Sequence, residues 1–448
     1  MKPDDIYSFC KQLHYPRWGG TIKMRKIWIS VVCAIITSLI IAGCSQKGSS
    51  NDDAVSVWVH TSNETPEGKA MQKIIDQFNE KYKGEYEAKI EFIPRSGSGG
   101  GYEDKINAAL TTNTLPDVLT LDGPNTAAYA EAGMIAPIDE YLTNKDDLLP
   151  SIIQQGTYDG KMYAVGYSES GVGVFYNKQM LKDAGVDLTT LPTVENPWDW
   201  NQFIDLNEKL VKKFDRPVID MGFNDKSEWL MYAFTPFLWS QGGNIVSEDG
   251  ATANGVFNNE NAVKTMTFIQ DMIKKGYSTI SPVDKGFNTG EYALKFGGSW
   301  TIAEMEEYPD VEYGIMPYPT SPDTNKLVSP SGSWQYAMSA TSDKKEAAGT
   351  LIDFMTSTES LTEITLANSV LPAAYSVIEE VKDKVSDEMN ILIEQNAASA
   401  HARPVLPEYP QVSRIFQQTV SDVTYYEENA NIQTLLDDKV TQIDKVLK

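Results

Sequence analysis

Val55-Ser56-Val57-Trp58-Val59, Lys89-Ile90-Glu91-Phe92-Ile93 and Asp117-Val118-Leu119-Thr120-Leu121 are short apolar runs of strand character, and what lies between them decides the fold. Lys69 to Tyr82 places Met71, Ile74, Ile75, Phe78 and Tyr82 at helical spacing, and Glu103 to Leu110 reads as a second helix. Strand, helix, strand, helix, strand is the pattern of an α/β fold with a parallel sheet. Such sheets present their functional loops beyond the strand C-termini, here Trp58 to Glu64, Arg95 to Gly101 and Asp122 to Asn125. The glycine loop Gly97-Ser98-Gly99-Gly100-Gly101 has neither the Lys-Ser/Thr of a phosphate loop nor dinucleotide spacing, so it reads as a flexible connection.

The chain has 448 residues, 41% hydrophobic and 22% charged, enough for a large core in two to three domains or one two-lobed unit. Six bases against two acids give residues 1–43 a net charge of +4, which leaves −28 on the remainder of a chain whose total is −24. That acidity argues against nucleic acid and against adhesion to anionic lipid. Cys10 and Cys33 precede Cys44, so no disulfide framework is available to the folded part. His60 and His401 are the histidines beyond Cys44, too sparse for a structural zinc site or a Cys-His nucleophile; no metal and no cofactor are expected.

Lys23, Arg25 and Lys26 form a basic patch before the 16-residue apolar run Ile27–Ala42, and Ile41-Ala42-Gly43-Cys44 follows. This is the order of a secretory signal peptide, and the run is shorter than the roughly 20 residues of a spanning helix. The last four residues resemble the lipobox of bacterial lipoproteins, which implies acylation of Cys44 and an extracytoplasmic chain tethered to the outer face of the cell membrane. Ser45 to Asp53 lacks apolar residues, as a flexible tether does. Residues 1–23 precede an already complete signal sequence, so translation is expected to start at Met24.

Further along, Gly156 to Tyr176 reads as turn, strand, polar loop, strand. Asn196-Pro197-Trp198-Asp199-Trp200 opens a helix with Asp199 as cap. Later helices are expected over about 228–239, 260–275, 344–356, 358–367, 377–396 and 412–448. Nothing repeats at a fixed period.

From Val55 onward the chain resembles the family 1 extracellular solute-binding proteins, the receptors of carbohydrate ABC importers. The resemblance rests on several segments in order: Leu115-Pro116-Asp117-Val118, Glu131 to Ile138, Tyr158 to Val165, Phe175-Tyr176-Asn177-Lys178 and Ala184-Gly185-Val186. Trp198-Asp199-Trp200, Gly290 to Leu294, Gly297-Gly298-Ser299-Trp300 and Ile315 to Pro319 complete it. It implies two α/β lobes with a cleft between them and a hinge crossed near Tyr167, Pro317 and Leu371. One lobe is then 54–167 with 318–371, the other 168–317 with 372–448. It also implies a non-catalytic monomer that closes on a carbohydrate and passes it to membrane permease subunits driven by a cytoplasmic ATPase.

A sugar has apolar C–H faces and a ring of hydroxyls, so its site needs aromatic platforms and a few charged or amide groups. Seven tryptophans lie beyond Cys44. Trp300 ranks first, after the glycines that let the backbone turn and at a family position that faces the sugar. Trp334, in a polar Ser-Gly-Ser loop, and Trp229, beside Glu228, follow. Trp198, Trp200 and Trp239 are expected to pack. Asp122 after the third strand, Glu169 and Tyr167 at the first crossing, and Glu64 with Asn63 after the first strand are expected hydroxyl partners. Arg403, in His401-Ala402-Arg403-Pro404, matches a family segment at the cleft edge. The alternatives are the same fold holding a peptide, polyamine, phosphate ester or metal chelate, and a surface glycoside hydrolase using Asp122 and Glu169 as its carboxylates.

Overall fold

A computed structural model describes residues 53–95, 101–225, 227–425 and 431–448. Met24, the leader, Cys44 and the glycine loop 96–100 lie outside the described residues. The first strand, β1 (Val55–Val59), turns Val55, Val57 and Val59 into the core. Helix α1 (Pro66–Lys81) starts on a Thr65 cap that accepts from the Gly68 amide, with Pro66 where its missing N–H costs nothing. A Cβ on Gly68 would lie 2.0 Å from the Ser62 carbonyl oxygen, so the helix start can nest against its own loop. Met71, Ile74, Ile75 and Phe78 then face the sheet.

Strand β2 (Ala88–Phe92) pairs in parallel with one side of β1, and after helix α2 (Tyr102–Thr112) strand β3 (Val118–Asp122) pairs in parallel with the other. The expected parallel α/β start is therefore present. Trp334–Ser339 returns to run antiparallel beside β3, in a register that sets Trp334 opposite Asp122. Ile135–Ala136 and Ala164–Gly166 pair with that same returning strand.

A second sheet runs Tyr313–Met316, Val172–Asn177, Leu294–Gly298, Ile219–Asp220. Each sheet has its own core. Phe78, Ile152, Tyr336 and Leu351 pack in the first, and Phe203, Phe237, Phe296 and Phe416 in the second. Fully burying one such side chain is worth about 1.5–3 kcal/mol, so the two clusters are major sources of the fold's stability.

Glu169 and Leu371 exchange both backbone hydrogen bonds at 2.8 Å, and the Ser170 amide donates to Gly332 at 2.9 Å. These pairings mark the strap between the lobes, reinforced by Ser329–Ser331 lying parallel to Ala400–Ala402. Two crossings fall later than expected. Residues 318–328 stay with the second sheet, because Thr320 exchanges backbone bonds with Trp198 and Trp200 and Tyr318 packs on Phe237 and Phe296. The chain returns to the first sheet only beyond Ser331. Similarly Ala373, Ala374, Val377 and Val381 pack in the first core, and the helix Asp387–Ser399 first reaches the second through Met389 and Leu392.

Two helices expected as long runs each break in two. Tyr375–Val381 and Asp387–Ser399 are separated where Ser386 caps the Met389 amide, and Tyr409–Thr424 and Ile432–Val446 where Asn431 caps that of Thr434. Asp199 forms the expected cap, in a reciprocal box with Gln202.

Candidate functional site

The two sheets point their loop-bearing ends at a common cleft. On the first lobe, Asp122 ends β3 and Trp334 starts the strand beside it. The Trp334 indole stacks on the His60 imidazole, with centroids 3.4 Å apart and planes 8° from parallel, and the Arg95 guanidinium lies 5.1 Å from the same ring. Burial, then the nearby Arg95 charge, holds the His60 pKa well below its usual value, so the stacked ring is neutral. Its Nδ1 is 3.1 Å from the Thr120 hydroxyl.

On the second lobe, Glu228 leads into the helix Trp229–Ser240, and Trp300 starts the helix after the strand end at Gly297-Gly298. Trp229 donates its Nε1–H to the Met221 carbonyl at 2.9 Å and meets Trp300 edge-on at 6.2 Å and 76°. A Cβ on Gly298 would come within 2.2 Å of the Trp300 indole. Only glycine lets that ring fold back over its own strand, where it stays 38% exposed. An indole held rigidly yet left open to solvent is a platform.

Arg403 joins the two sides. Its Nη2 lies 2.9 Å and its Nη1 3.3 Å from the Asp122 carboxylate on the first lobe, and Nη1 lies 3.2 Å from Glu228 on the second. The guanidinium is buried, which works against its charge, but Asp122, Tyr409 and Glu228 outweigh that and raise its pKa. Burial raises the Glu228 pKa, and Arg403 opposes the rise. Glu228 also accepts from Ser413 at 2.8 Å, from Gln417 at 3.1 Å and from the Tyr409 hydroxyl. Tyr232, whose ring lies 5.1 Å from the Arg403 guanidinium, donates to the Ser170 carbonyl at 2.7 Å and so fixes the strap to the cleft wall.

These groups enclose about 320 Å³ lined from both lobes. Five expected residues converge there: Trp300, Trp334, Trp229, Asp122 and Arg403. Three do not. Tyr167 stacks on Tyr336 at 4.6 Å and donates to Glu67 at 3.0 Å inside the first core. Glu169 is fully buried with its carboxylate taken by Ser331, the Gly332 amide and Gln155. It therefore cannot face Asp122 across the cleft as a hydrolase partner would. Glu64, like Asn63, is exposed on the loop after β1 and takes no part in the lining.

The lining also includes Arg95, from one of the loops expected beyond the strand C-termini, and Ser170, Glu228, Tyr232 and Ser333, which are not among the expected residues. Glu228 carried one signal, its place at the head of a helix opening on tryptophan; the others depend on tertiary placement. Trp200 stacks on Phe268 at 4.5 Å and Trp239 on His401 at 4.1 Å, the packing roles expected of them. Among the described residues, no group of three His, Cys, Asp or Glu could hold a metal ion, and no helix is long and apolar enough to cross a membrane.

The chain is 25% identical over 349 residues to the diacetylchitobiose binding protein DasA of Streptomyces coelicolor, spanning 74% of this chain and 76% of that protein. It is 25% identical over 274 residues to the sn-glycerol-3-phosphate-binding periplasmic protein UgpB of Pectobacterium atrosepticum, spanning 56% and 57%. Among solved structures, the cyclic α-maltosyl-1,6-maltose binding protein of Arthrobacter globiformis superposes with a TM-score of 0.76 at 24% identity, covering 88% of this chain and 99% of that one. The GacH receptor of Streptomyces glaucescens gives 0.74 at 21%, covering 88% and 98%. These likenesses establish the two-lobed binding-protein fold. The profile of the bacterial extracellular solute-binding proteins matches residues 61–361, and the chain belongs to that family.

Proposed function

We propose that this protein is the receptor of an ABC-type importer, that it captures an extracellular carbohydrate by closing its lobes, and that it delivers the sugar to membrane permease subunits. The observation that carries the reading is the trio Trp229, Trp300 and Trp334 around a cleft whose polar groups are the linked set Asp122, Arg403 and Glu228. Indole faces fit the C–H faces of a pyranose, and a carboxylate–guanidinium set offers acceptors and donors for paired hydroxyls. The sugar ligands named for DasA and for the maltose-type neighbours agree with that chemistry. A phosphate ester, the ligand named for UgpB, is less well served, because Asp122, Asp225 and Glu228 outnumber Arg95 and Arg403 in the lining.

Lobe closure around a ligand gives a transporter two distinguishable receptor states, empty and loaded. Acylation of Cys44 would hold the receptor beside its permease and raise their effective concentration. Cys44→Ser should release the protein from the membrane fraction. The test of the binding role is a thermal-shift screen against mono- and oligosaccharides, since a ligand held only by the folded state raises the melting point. A raised Tm with particular sugars supports the role, and no shift with any sugar at millimolar concentration would refute it.

A further inference from the structure

The cleft continues past Trp300. Trp229, Trp300 and Asp225 also border an adjoining space of about 540 Å³, whose other walls come from the second lobe alone. Five carboxylates line it against two ammonium groups, Lys285 and Lys295. Lys295 lies 3.6 Å from Glu304, and Lys285 sits 5.6 Å from the centre of the Tyr308 ring. Among the described residues, Asp220, Asp284 and Glu307 have no ion-pair partner within 4.0 Å. Asp220 is half-buried at the end of its strand, where its one hydrogen bond comes from the Gly222 amide at 2.9 Å.

An independent feature points to a ligand here. Asn288 lines the same wall, is 1% exposed, and neither its side-chain nitrogen nor its oxygen has a hydrogen-bond partner. An unpaired buried amide is costly, so a partner from outside the chain would stabilise it, and a sugar hydroxyl supplies both a donor and an acceptor. Hydroxyls can pair with carboxylates but add no positive charge to a wall in which five carboxylates face two lysines, with Lys295 acting on Asp220, whereas an ammonium does. Among the described residues no group of three His, Cys, Asp or Glu could hold a metal ion, and an ammonium on the ligand needs no such grouping.

We propose that this space is a second sugar subsite that accepts an amino-sugar unit with a free ammonium, so that the ligand is a cationic disaccharide or a longer chain. The inference rests on the carbohydrate reading above and adds to it the length and charge of the ligand. Trp300, shared by both spaces, is the divider over which the two rings sit.

The test is calorimetric titration of the full-length protein at low salt and mildly acidic pH with a glucosamine disaccharide, its N,N′-diacetyl form and a neutral glucose disaccharide. The free-amine disaccharide should bind about tenfold more tightly than either of the others, with a preference that shrinks as salt is added. Asp220→Asn should reduce that preference at least about threefold, and Glu307→Gln, at an exposed position that does not threaten folding, should reduce it in the same direction. Both variants should lower affinity for the free-amine disaccharide more than for the neutral one. Equal or tighter binding of the neutral or acetylated sugar, or a preference indifferent to both variants, overturns this inference and leaves the carbohydrate reading standing. Binding of no sugar at all overturns both.

Discussion

Replacing Arg403 by Met keeps the volume of the stem and removes the charge that stands between Asp122 and Glu228. Arg403 has 4% of its side chain exposed and its two partners 26% and 28%, so the pair set is enclosed but not dry. Breaking a fully buried pair by deleting one partner costs about 3–5 kcal/mol, and the partial exposure of the carboxylates places this one near 3. With an unfolding entropy of about 2.1 cal/mol/K per residue, a folded unit running from Ala54 to Lys448 converts that into about 4 °C of melting temperature. The loss must depend on pH. Burial already raises the Glu228 pKa, and removing Arg403 takes away the influence that opposed the rise. A carboxyl with a raised folded-state pKa contributes stability below its unfolded pKa and loses it as pH rises through the folded value. The Arg403→Met deficit should therefore be full at neutral pH and shrink as the solution is acidified and Glu228 takes a proton. Differential scanning calorimetry of variant and parent across that range measures it, and adding Glu228→Gln to the variant should recover part of the loss at neutral pH. An unchanged melting temperature, or a deficit of the same size at every pH, would refute the assignment of Glu228 and Asp122 as charges dependent on Arg403.

Trp300→Ala should weaken sugar binding by about 1–3 kcal/mol while leaving far-UV circular dichroism unchanged, since the ring is open to the cleft. Gly298→Ala should produce a similar loss from a residue that touches no ligand, because its Cβ would displace the Trp300 indole from 2.2 Å away; titration calorimetry distinguishes this from unaltered affinity. His60 has a depressed folded-state pKa, so its contribution to stability is present above its unfolded pKa of about 6.5 and lost as pH falls through the folded value. His60→Phe should remove that acid-side component of the parent's profile in a melting-temperature titration. A variant losing stability in acid as steeply as the parent would count against a neutral, stacked His60.

The parallel start of the fold is readable because β1 alternates, α1 carries a helical period and β3 is a short continuous apolar run, as a strand buried on both faces is. The C-terminal helices were harder, since Ser386 and Asn431 lie in polar stretches where a capping residue looks like one more surface position. At the site, Trp300 and Trp334 were legible from the glycines and serines around them, which leave a large ring with little local packing. Glu169 and Tyr167 show the limit of that logic. Both follow the strand that ends at Gly166, and which way their side chains turn is decided by partners distant in sequence. Ser331 and Gly332, 162 and 163 residues away along the chain, are what make an interior Glu169 tolerable. Tyr232 owes its place to Ser170, 62 residues away, a contact that no local pattern announces.

The span from Asp122 through Arg403 to Glu228 means that protein groups alone hold the lobes to each other. Any solute that depends on closure inherits that bias, because apparent affinity scales with the fraction of receptor already competent to bind. Altering Arg403 should then change affinity through closure as well as through its own contacts with the solute, whereas altering Trp300 or Asp220 should act through contacts alone. The bias toward closure and the recognition of the solute meet in Arg403, so neither can drift under selection without the other.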